Sequence, residues 1–260
     1  MPLTITIIQA ALVWENVDAN LELFTQKINS ITDKTEVIVL PEMFSTCFSM
    51  QPEKLAETMD GKAINWMKKI AIEKRVIITG SLMIKENGQY FNRLIWMLPN
   101  GEFGYYNKRH LFGYANEDSH YTAGNKRLIA QVKGFKINLQ VCYDLRFPIW
   151  ARQASSSEPE YDILLYVANW PERRNHAWKT LLTARAIENQ CYVVGVNRVG
   201  NDGHNIYHSG DSMVLNAMGE TLYNKADDED IFTITLEKEP LDEIRNTLPF
   251  LKDADGFRIV

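Results

Sequence analysis

Cysteine is scarce in this chain. Cys47, Cys142 and Cys191 are the only three in 260 residues, an odd, sparse count that fits a reducing compartment and argues against a disulfide framework. Basic charge is also short: 28 Lys plus Arg stand against 33 Asp plus Glu, a formal net charge of −5. Binding along a nucleic-acid backbone draws on clustered cations, so no nucleic-acid partner is expected. Long apolar runs are missing too. None approaches the roughly 18 residues needed to span a bilayer, and no membrane partner is expected. The opening MPLTITIIQA has neither the cationic stretch nor the cleavage site of a secretory leader and reads as a first strand. Cytoplasmic residence follows as the expectation. No fixed-period repeat is visible, and no linker divides the chain. The most polar interior stretch, Ser155-Ser156-Ser157-Glu158-Pro159-Glu160, is too short for one and reads as a loop. A single domain over 1–260 is expected.

What is present is the material of a folded domain, with 45% hydrophobic and 23% charged residues. Runs rich in Val, Ile, Tyr and Phe recur at Leu3–Ile8, Glu36–Leu40, Val76–Ile84, Phe91–Leu98, Phe103–Tyr106, Phe135–Val141, Asp162–Val167, Tyr192–Val196, Asp211–Leu215 and Ile231–Leu236. Asn87-Gly88 and Asn100-Gly101 are hairpin signals, because both residue types tolerate positive φ, so 76–106 reads as an antiparallel meander. Val17, Leu21, Phe24, Ile28 and Ile31 step by four and three, which is one apolar stripe on a helix. Further helices are predicted over about 61–73 and 175–190. Strands alternating with helices, plus the meander, indicate an α/β protein with mixed sheets. The number of strands suggests two sheets face to face with helices outside.

Three reactive side chains share an unusual placement. Glu42 follows EVIVLP, Lys108 follows FGYYN, and Cys142 follows KINLQV. Each lies just past a predicted strand end, where open α/β sheets place their sites. A carboxylate, an ammonium and a thiol can serve as base, charge stabiliser and nucleophile. A short helix is expected near Tyr143-Asp144-Leu145-Arg146, whose exposed N–H groups would favour a thiolate at Cys142. A buried structural thiol is the competing account of Cys142, and a solvated surface cation that of Lys108 beside Arg109. Glu42 sits among Leu40, Pro41, Met43 and Phe44, so it must find a partner or shift its pKa. Cys191, which opens CYVVGV, is expected to pack. Cys47 reads as a bystander in the wall. Arg173 and Arg174 follow ANWP, where a guanidinium can clamp a carboxylate or make a structural ion pair. Arg146 is expected to pair internally, and Trp170 to form a pocket wall. His204 and His208, with Asp202 and Asp211 nearby, invite a metal reading, but a loop does not align them, and no metal site is expected. His110, His120 and His176 are candidate thiol partners on residue type alone.

The stretches LPEMF at 40–44, YNKRHLF at 106–112 and VCYDLRFP at 141–148 resemble, in chain order, the three catalytic regions of the nitrilase or carbon–nitrogen hydrolase superfamily. ANWP at 168–171, ARAIENQCYVVGVNRVG at 184–200 and GDSMVLNAMGE at 210–220 extend the resemblance over nearly the whole chain, closest in look to its bacterial omega-amidase branch. The resemblance implies a four-layer αββα sandwich. It makes Cys142 the nucleophile, Glu42 the general base and Lys108 the oxyanion stabiliser, with the Tyr143 N–H as second oxyanion donor. Glu117 falls where the family places a second glutamate beside the lysine, positioning substrate or assisting proton transfer. It implies no metal or organic cofactor, a small amide substrate, and a homodimer formed through a helical face. The helix at 175–190 and the apolar tail 248–260 are the candidate contacts. The implied reaction is hydrolysis of the terminal amide of short 2-oxo dicarboxylic acid monoamides, 2-oxoglutaramate and 2-oxosuccinamate. Nitriles, N-carbamoyl amino acids and simple aliphatic amides are the alternative substrates, and a non-catalytic binding protein the alternative role.

Overall fold

Alternation along the first strand divides its side chains between two layers. Leu3, Ile5 and Ile7 point one way and Ile8 the other, and all four are buried. The computed structural model describes residues 1–153 and 159–257. The loop expected at 155–160 therefore lies mostly outside the described residues, as do Ile259 and Val260.

The order is β1 (Leu3–Gln9), α1 (Val17–Asn29), β2 (Val37–Val39), α2 (Pro52–Leu55), α3 (Lys62–Lys74), β3 (Ile77–Glu86), β4 (Gln89–Met97) and β5 (Phe103–Asn107). There follow α4 (Glu117–His120), β6 (Ile129–Val132), β7 (Phe135–Val141), α5 (Pro148–Ala151), β8 (Ile163–Val167), α6 (Asn175–Asn189) and β9 (Tyr192–Val196). The remaining elements are β10 (Val199–Asn201), β11 (Tyr207–Leu215), β12 (Thr221–Ala226), β13 (Asp230–Leu236) and α7 (Lys238–Thr247). Two mixed sheets result, in the orders β13-β1-β2-β3-β4-β5 and β10-β11-β9-β8-β7-β6, with β12 beside β11. Strands β1-β2-β3 and β7-β8-β9 are the parallel centres.

The four layers follow from three apolar clusters. Leu3, Ile5, Val37 and Leu94 of the first sheet pack on Ile137, Leu139, Leu165 and Val194 of the second. Behind the first sheet, Leu21, Phe24 and Ile28 of α1 and Ile64, Met67 and Ile70 of α3 cover Ile8, Ile38 and Ile78. Behind the second, Trp178, Leu182 and Ala186 of α6 cover Leu164, Val193 and Leu215. Burying each large side chain contributes about 1.5–3 kcal/mol. The predicted αββα sandwich is the observed one.

The meander forms as expected, and its two turns differ. Asn87 and Gly88 both take positive φ (51° and 76°), the two-residue hairpin geometry. At the second turn only Gly101 does (83°), with its N–H donating to Leu98 O. Strands β6, β10 and β12 and helix α7 have no counterpart in the sequence reading. Strand β12 is half-exposed on an edge, and α7 buries only Leu241 among its apolar residues. An electrostatic latch holds α7: buried Asp162 accepts from Arg245 Nη1 at 2.8 Å and Lys238 Nζ at 3.1 Å.

Candidate active site

Strand ends from both sheets bring the reactive groups together. Glu42 sits on the turn after β2. That turn is braced on β3, where Ser81 Oγ accepts from the Met43 N–H at 2.8 Å and Ser81 O from the Phe44 N–H at 3.2 Å. Its close approach depends on Gly80, since a Cβ there would lie 2.9 Å from both Leu40 Cβ and Phe44 Cδ1. Lys108 follows β5, its N–H donating to Asn92 O of β4 at 2.9 Å. Cys142 follows β7 and opens a 3-10 turn, Cys142–Arg146, with φ of 45°. A non-glycine residue in that left-handed region carries strain of order 1 kcal/mol.

The strained turn is fixed to the lysine's loop through Asp144. Its Oδ2 accepts from the Val141 N–H at 3.0 Å and the Tyr106 hydroxyl at 2.7 Å. Its Oδ1 accepts from the His110 N–H at 2.9 Å. Tyr106 in turn accepts from Trp150 Nε1 at 2.9 Å. Residues 106 and 110 bracket Lys108, so one buried carboxylate ties the nucleophile's turn to the ammonium's loop.

Lys108, Glu42 and Glu117 are all buried and form one charge network. Lys108 Nζ donates to Glu42 Oε1 at 2.9 Å and to both Glu117 oxygens at 3.0 and 2.9 Å. Burial alone would lower the Lys108 pKa. The two carboxylates outweigh it and hold the ammonium well above its ordinary value. Glu117 is pushed up, first by burial and then by Glu42, with Lys108 opposing. Asn92 Nδ2 donates to Glu42 Oε1 at 2.8 Å and Glu117 Oε1 at 3.2 Å. Two backbone amides complete the set, Asn169 N–H to Glu42 Oε2 at 2.8 Å and Phe112 N–H to Glu117 Oε2 at 2.6 Å.

Burial is the largest cause raising the Cys142 thiol pKa. Glu42 adds to it through its charge and a hydrogen bond, and Lys108 opposes. The resting sulfur is therefore a neutral thiol beside a carboxylate, and attack requires Glu42 to take its proton. The Tyr143 N–H lies in the first turn of the 3-10 segment, where N–H groups lack partners within the turn.

A cavity of about 210 Å³ opens onto Cys142, Lys108 and Tyr143. Trp170, buried, forms part of its wall, as do Phe48, Met50 and Phe112. Arg146, Arg173 and Arg174 also line it. Arg146 corrects the sequence reading. No carboxylate lies within ion-pair distance of it among the described residues; its guanidinium stacks over Trp170 at 4.9 Å and faces the cavity. Arg174 stacks over Phe112 at 5.1 Å, and Arg173 is exposed. Ion pairs for either are likewise absent among the described residues.

The other two cysteines and His110 stand outside the charge network. Cys191 packs behind the second sheet. Cys47 is buried, its sulfur 3.6 Å from Arg198 Nη1. His110 pairs with Asp144 at 2.8 Å rather than with Cys142. His204 and His208 both line the cavity; burial, then the charge of Arg198, hold the His208 imidazole down at about 4, so it is neutral at pH 7. Sequence reasoning overlooked Asn92, Asn169 and Asp144. A signal existed for Asn92, which with Arg93 interrupts an otherwise apolar run from Phe91 to Met97.

Known proteins resemble this chain over nearly its whole length. The family model described as carbon–nitrogen hydrolase matches residues 4–246. Omega-amidase YafV of Escherichia coli K12 is 43% identical over 259 residues, covering 99% of this chain and 98% of that protein. A 2-oxoglutaramate amidase of Bacillus subtilis is 31% identical over 235 residues, covering 89% and 88%. Among solved structures, XC1258 of Xanthomonas campestris is a CN-hydrolase superfamily protein with an arsenic adduct in its active site. It superposes with a TM-score of 0.97 at 39% identity, each chain fully covered.

Proposed function

Because this chain belongs to the carbon–nitrogen hydrolase family, we propose that it is an omega-amidase, hydrolysing the terminal amide of small 2-oxo dicarboxylic acid monoamides such as 2-oxoglutaramate and 2-oxosuccinamate. The observation that carries the reading is a buried carboxylate–ammonium–carboxylate network beside the Cys142 thiol, in a cavity rimmed by guanidiniums without carboxylate partners among the described residues. Similarity to proteins named omega-amidase and 2-oxoglutaramate amidase supports the substrate class.

Glu42 takes the Cys142 proton as sulfur bonds to the amide carbon and the carbonyl pair moves onto oxygen. Lys108 Nζ and the Tyr143 N–H stabilise that oxyanion. On collapse the C–N bond breaks, and Glu42 returns the proton to nitrogen, releasing ammonia. Water then attacks the thioester carbon, giving its proton to Glu42. The C–S bond breaks, the acid departs, and the thiol regains its proton. Glu117 holds Lys108 in place throughout. Every step uses this chain's own residues.

The far carboxylate of the substrate lies against Arg146, Arg173 and Arg174. An anionic substrate needs local cations of this kind, because the overall charge is negative. The test is a panel of 2-oxoglutaramate, glutamine, propionitrile and an N-carbamoyl amino acid, read as kcat/KM. 2-Oxoglutaramate should lead. Glutamine should trail, because its ammonium group requires a partner of its own. Arg173→Leu and Arg146→Leu should raise KM for 2-oxoglutaramate by about 10–100-fold, the worth of charge-assisted hydrogen bonds, and much less for a neutral amide of similar length. A lead for the nitrile or carbamoyl compound would overturn the substrate assignment.

We further propose a cytoplasmic homodimer. All three cysteines are free, which suits a reducing compartment, and no helix among the described residues is long and apolar enough to cross a membrane. Most apolar side chains of α6 are spent on its own subunit, so Ile187 is its main exposed contribution. Met218, Leu248 and Phe250 are also exposed, even though Leu248 O accepts from Gln190 Nε2 at 2.7 Å. Static light scattering should return twice the chain mass of 30.0 kDa; a single-chain mass would reject the dimer.

A further inference from the structure

Two carboxylates share one ammonium in this site, and a neutral side chain bridges them. We propose that Asn92 is a positioning residue for the reaction: by donating one amide hydrogen to each of Glu42 and Glu117, it keeps both carboxylates ionised together and so keeps Glu42 free to accept the Cys142 proton. The inference rests on the reading of Glu42, Lys108 and Cys142 given above.

Charge counting sets the problem. Ionised together, Glu42 and Glu117 would set two negative charges against the one positive charge of Lys108, and all three side chains are buried. Neighbouring buried carboxylates ordinarily resolve their repulsion by retaining a proton. A proton held by the pair would occupy the base that the chemistry requires. A primary amide offers two N–H donors, one for each acceptor. Asn92 Nδ2 lies 2.8 Å from Glu42 Oε1 and 3.2 Å from Glu117 Oε1, the same two oxygens that Lys108 approaches at 2.9 and 3.0 Å. Turning the amide over would set its oxygen against two acceptors.

The local energetics argue against a space-filling role. Asn92 Oδ1 is buried with no hydrogen-bond partner, which costs about 1–3 kcal/mol. A leucine on the same strand would avoid that cost. The residue is also well fixed: its carbonyl accepts the Lys108 N–H, and its strand neighbour Arg93 pairs with Asn107 in the β4–β5 register. The groups facing the pair are Lys108 from the end of β5, Cys142 from the end of β7, and the Asn169 and Phe112 N–H donors. Tyr121 beyond α4 adds a phenol whose pKa is raised by burial and then by Glu117, so it stays neutral. Lys108 is therefore the only cation among these groups, and among the described residues Asn92 is the only side chain besides Lys108 to hydrogen-bond both carboxylates.

The sign of the effect follows. Removing the two donors destabilises the doubly ionised pair, so protons bind at higher pH and the acid limb of kcat/KM moves upward. In the full chain, Asn92→Leu and Asn92→Asp should be assayed on 2-oxoglutaramate across about pH 5 to 9. Near pH 7 kcat should fall by about 10–100-fold, with KM changing less. The acid limb should rise by about one pH unit or more, and by more in Asn92→Asp, which adds a third carboxyl group. Thermal unfolding identifies any variant that fails to fold, and Asn92→Ser then carries the same readout. A limb that stays in place, whether activity is kept or lost uniformly with pH, overturns the proposal. Cys142→Ala assayed alongside separates the two readings: activity there overturns the site itself, whereas an inactive Cys142→Ala with an unmoved limb overturns Asn92 alone.

Discussion

Cys142→Ala is expected to lower turnover of 2-oxoglutaramate by about 10⁴–10⁶-fold, the scale on which loss of a catalytic nucleophile acts, while the protein remains folded. The residue is only partly buried and its backbone is held from elsewhere, by Asp144 on the Val141 N–H and by Arg185 Nη2 on Leu145 O at 2.6 Å. Little packing is therefore lost. Cys142→Ser should be nearly as inactive, because a hydroxyl is a far weaker nucleophile before the same carboxylate. The backbone supplies a second check. At a φ of 45° any side chain is strained, so Cys142→Gly should be equally inactive and no less stable than Cys142→Ala. The strain relieved, of order 1 kcal/mol, offsets glycine's extra entropy in the unfolded chain. Intact-mass spectrometry during turnover by the natural protein should show an acyl adduct on Cys142. Substantial turnover by the alanine variant would exclude the thioester route.

The elements that were legible in the sequence are those whose faces are decided by water. Strand β7 alternates Phe135, Ile137, Leu139 and Val141 into the inter-sheet core, and α1 repeats its apolar residues at helical spacing, so pattern reports both. Helix α7 is held by Lys238 and Arg245 on Asp162, an ion cluster assembled from residues far apart in the chain, and no local window reports it. The same division runs through the site. Glu42, Lys108 and Cys142 were visible because reactive residue types follow strand ends. Arg146 was misjudged because pairing is a property of what lies opposite. The surface opposite it is the ring of Trp170, 24 residues on, and not a carboxylate. Asn92 and Asp144 were overlooked because their importance lies in which atoms they touch, the two carboxylates for Asn92 and the Tyr106 hydroxyl of the facing sheet for Asp144.

Lys108→Met tests whether that ammonium acts on the oxyanion or only balances charge. Loss of one oxyanion donor costs about 10²–10³-fold in kcat, and here the expected loss is larger. With Lys108 gone, Glu42 and Glu117 remain buried without a cation. The pair then takes up a proton and the base is compromised as well. Breaking a buried ion pair by removing one partner also destabilises by about 3–5 kcal/mol, so a poorly folded variant would mimic a catalytic defect. The double variant Lys108→Met/Glu117→Gln separates the two effects. It removes one buried negative charge along with the positive one, which should recover most of the lost thermal stability. The isosteric amide still accepts the Phe112 N–H. If Lys108 stabilises the oxyanion, kcat in the double variant stays down by at least about 10² although the fold is restored. If Lys108 serves only to neutralise the carboxylates, activity returns together with stability, and the assignment of an oxyanion role to Lys108 is wrong. Arg109→Met, on the same loop, provides the comparison. Its guanidinium donates to Gly124 O at 3.0 Å, away from the carboxylates, so its substitution should leave the acid limb unmoved.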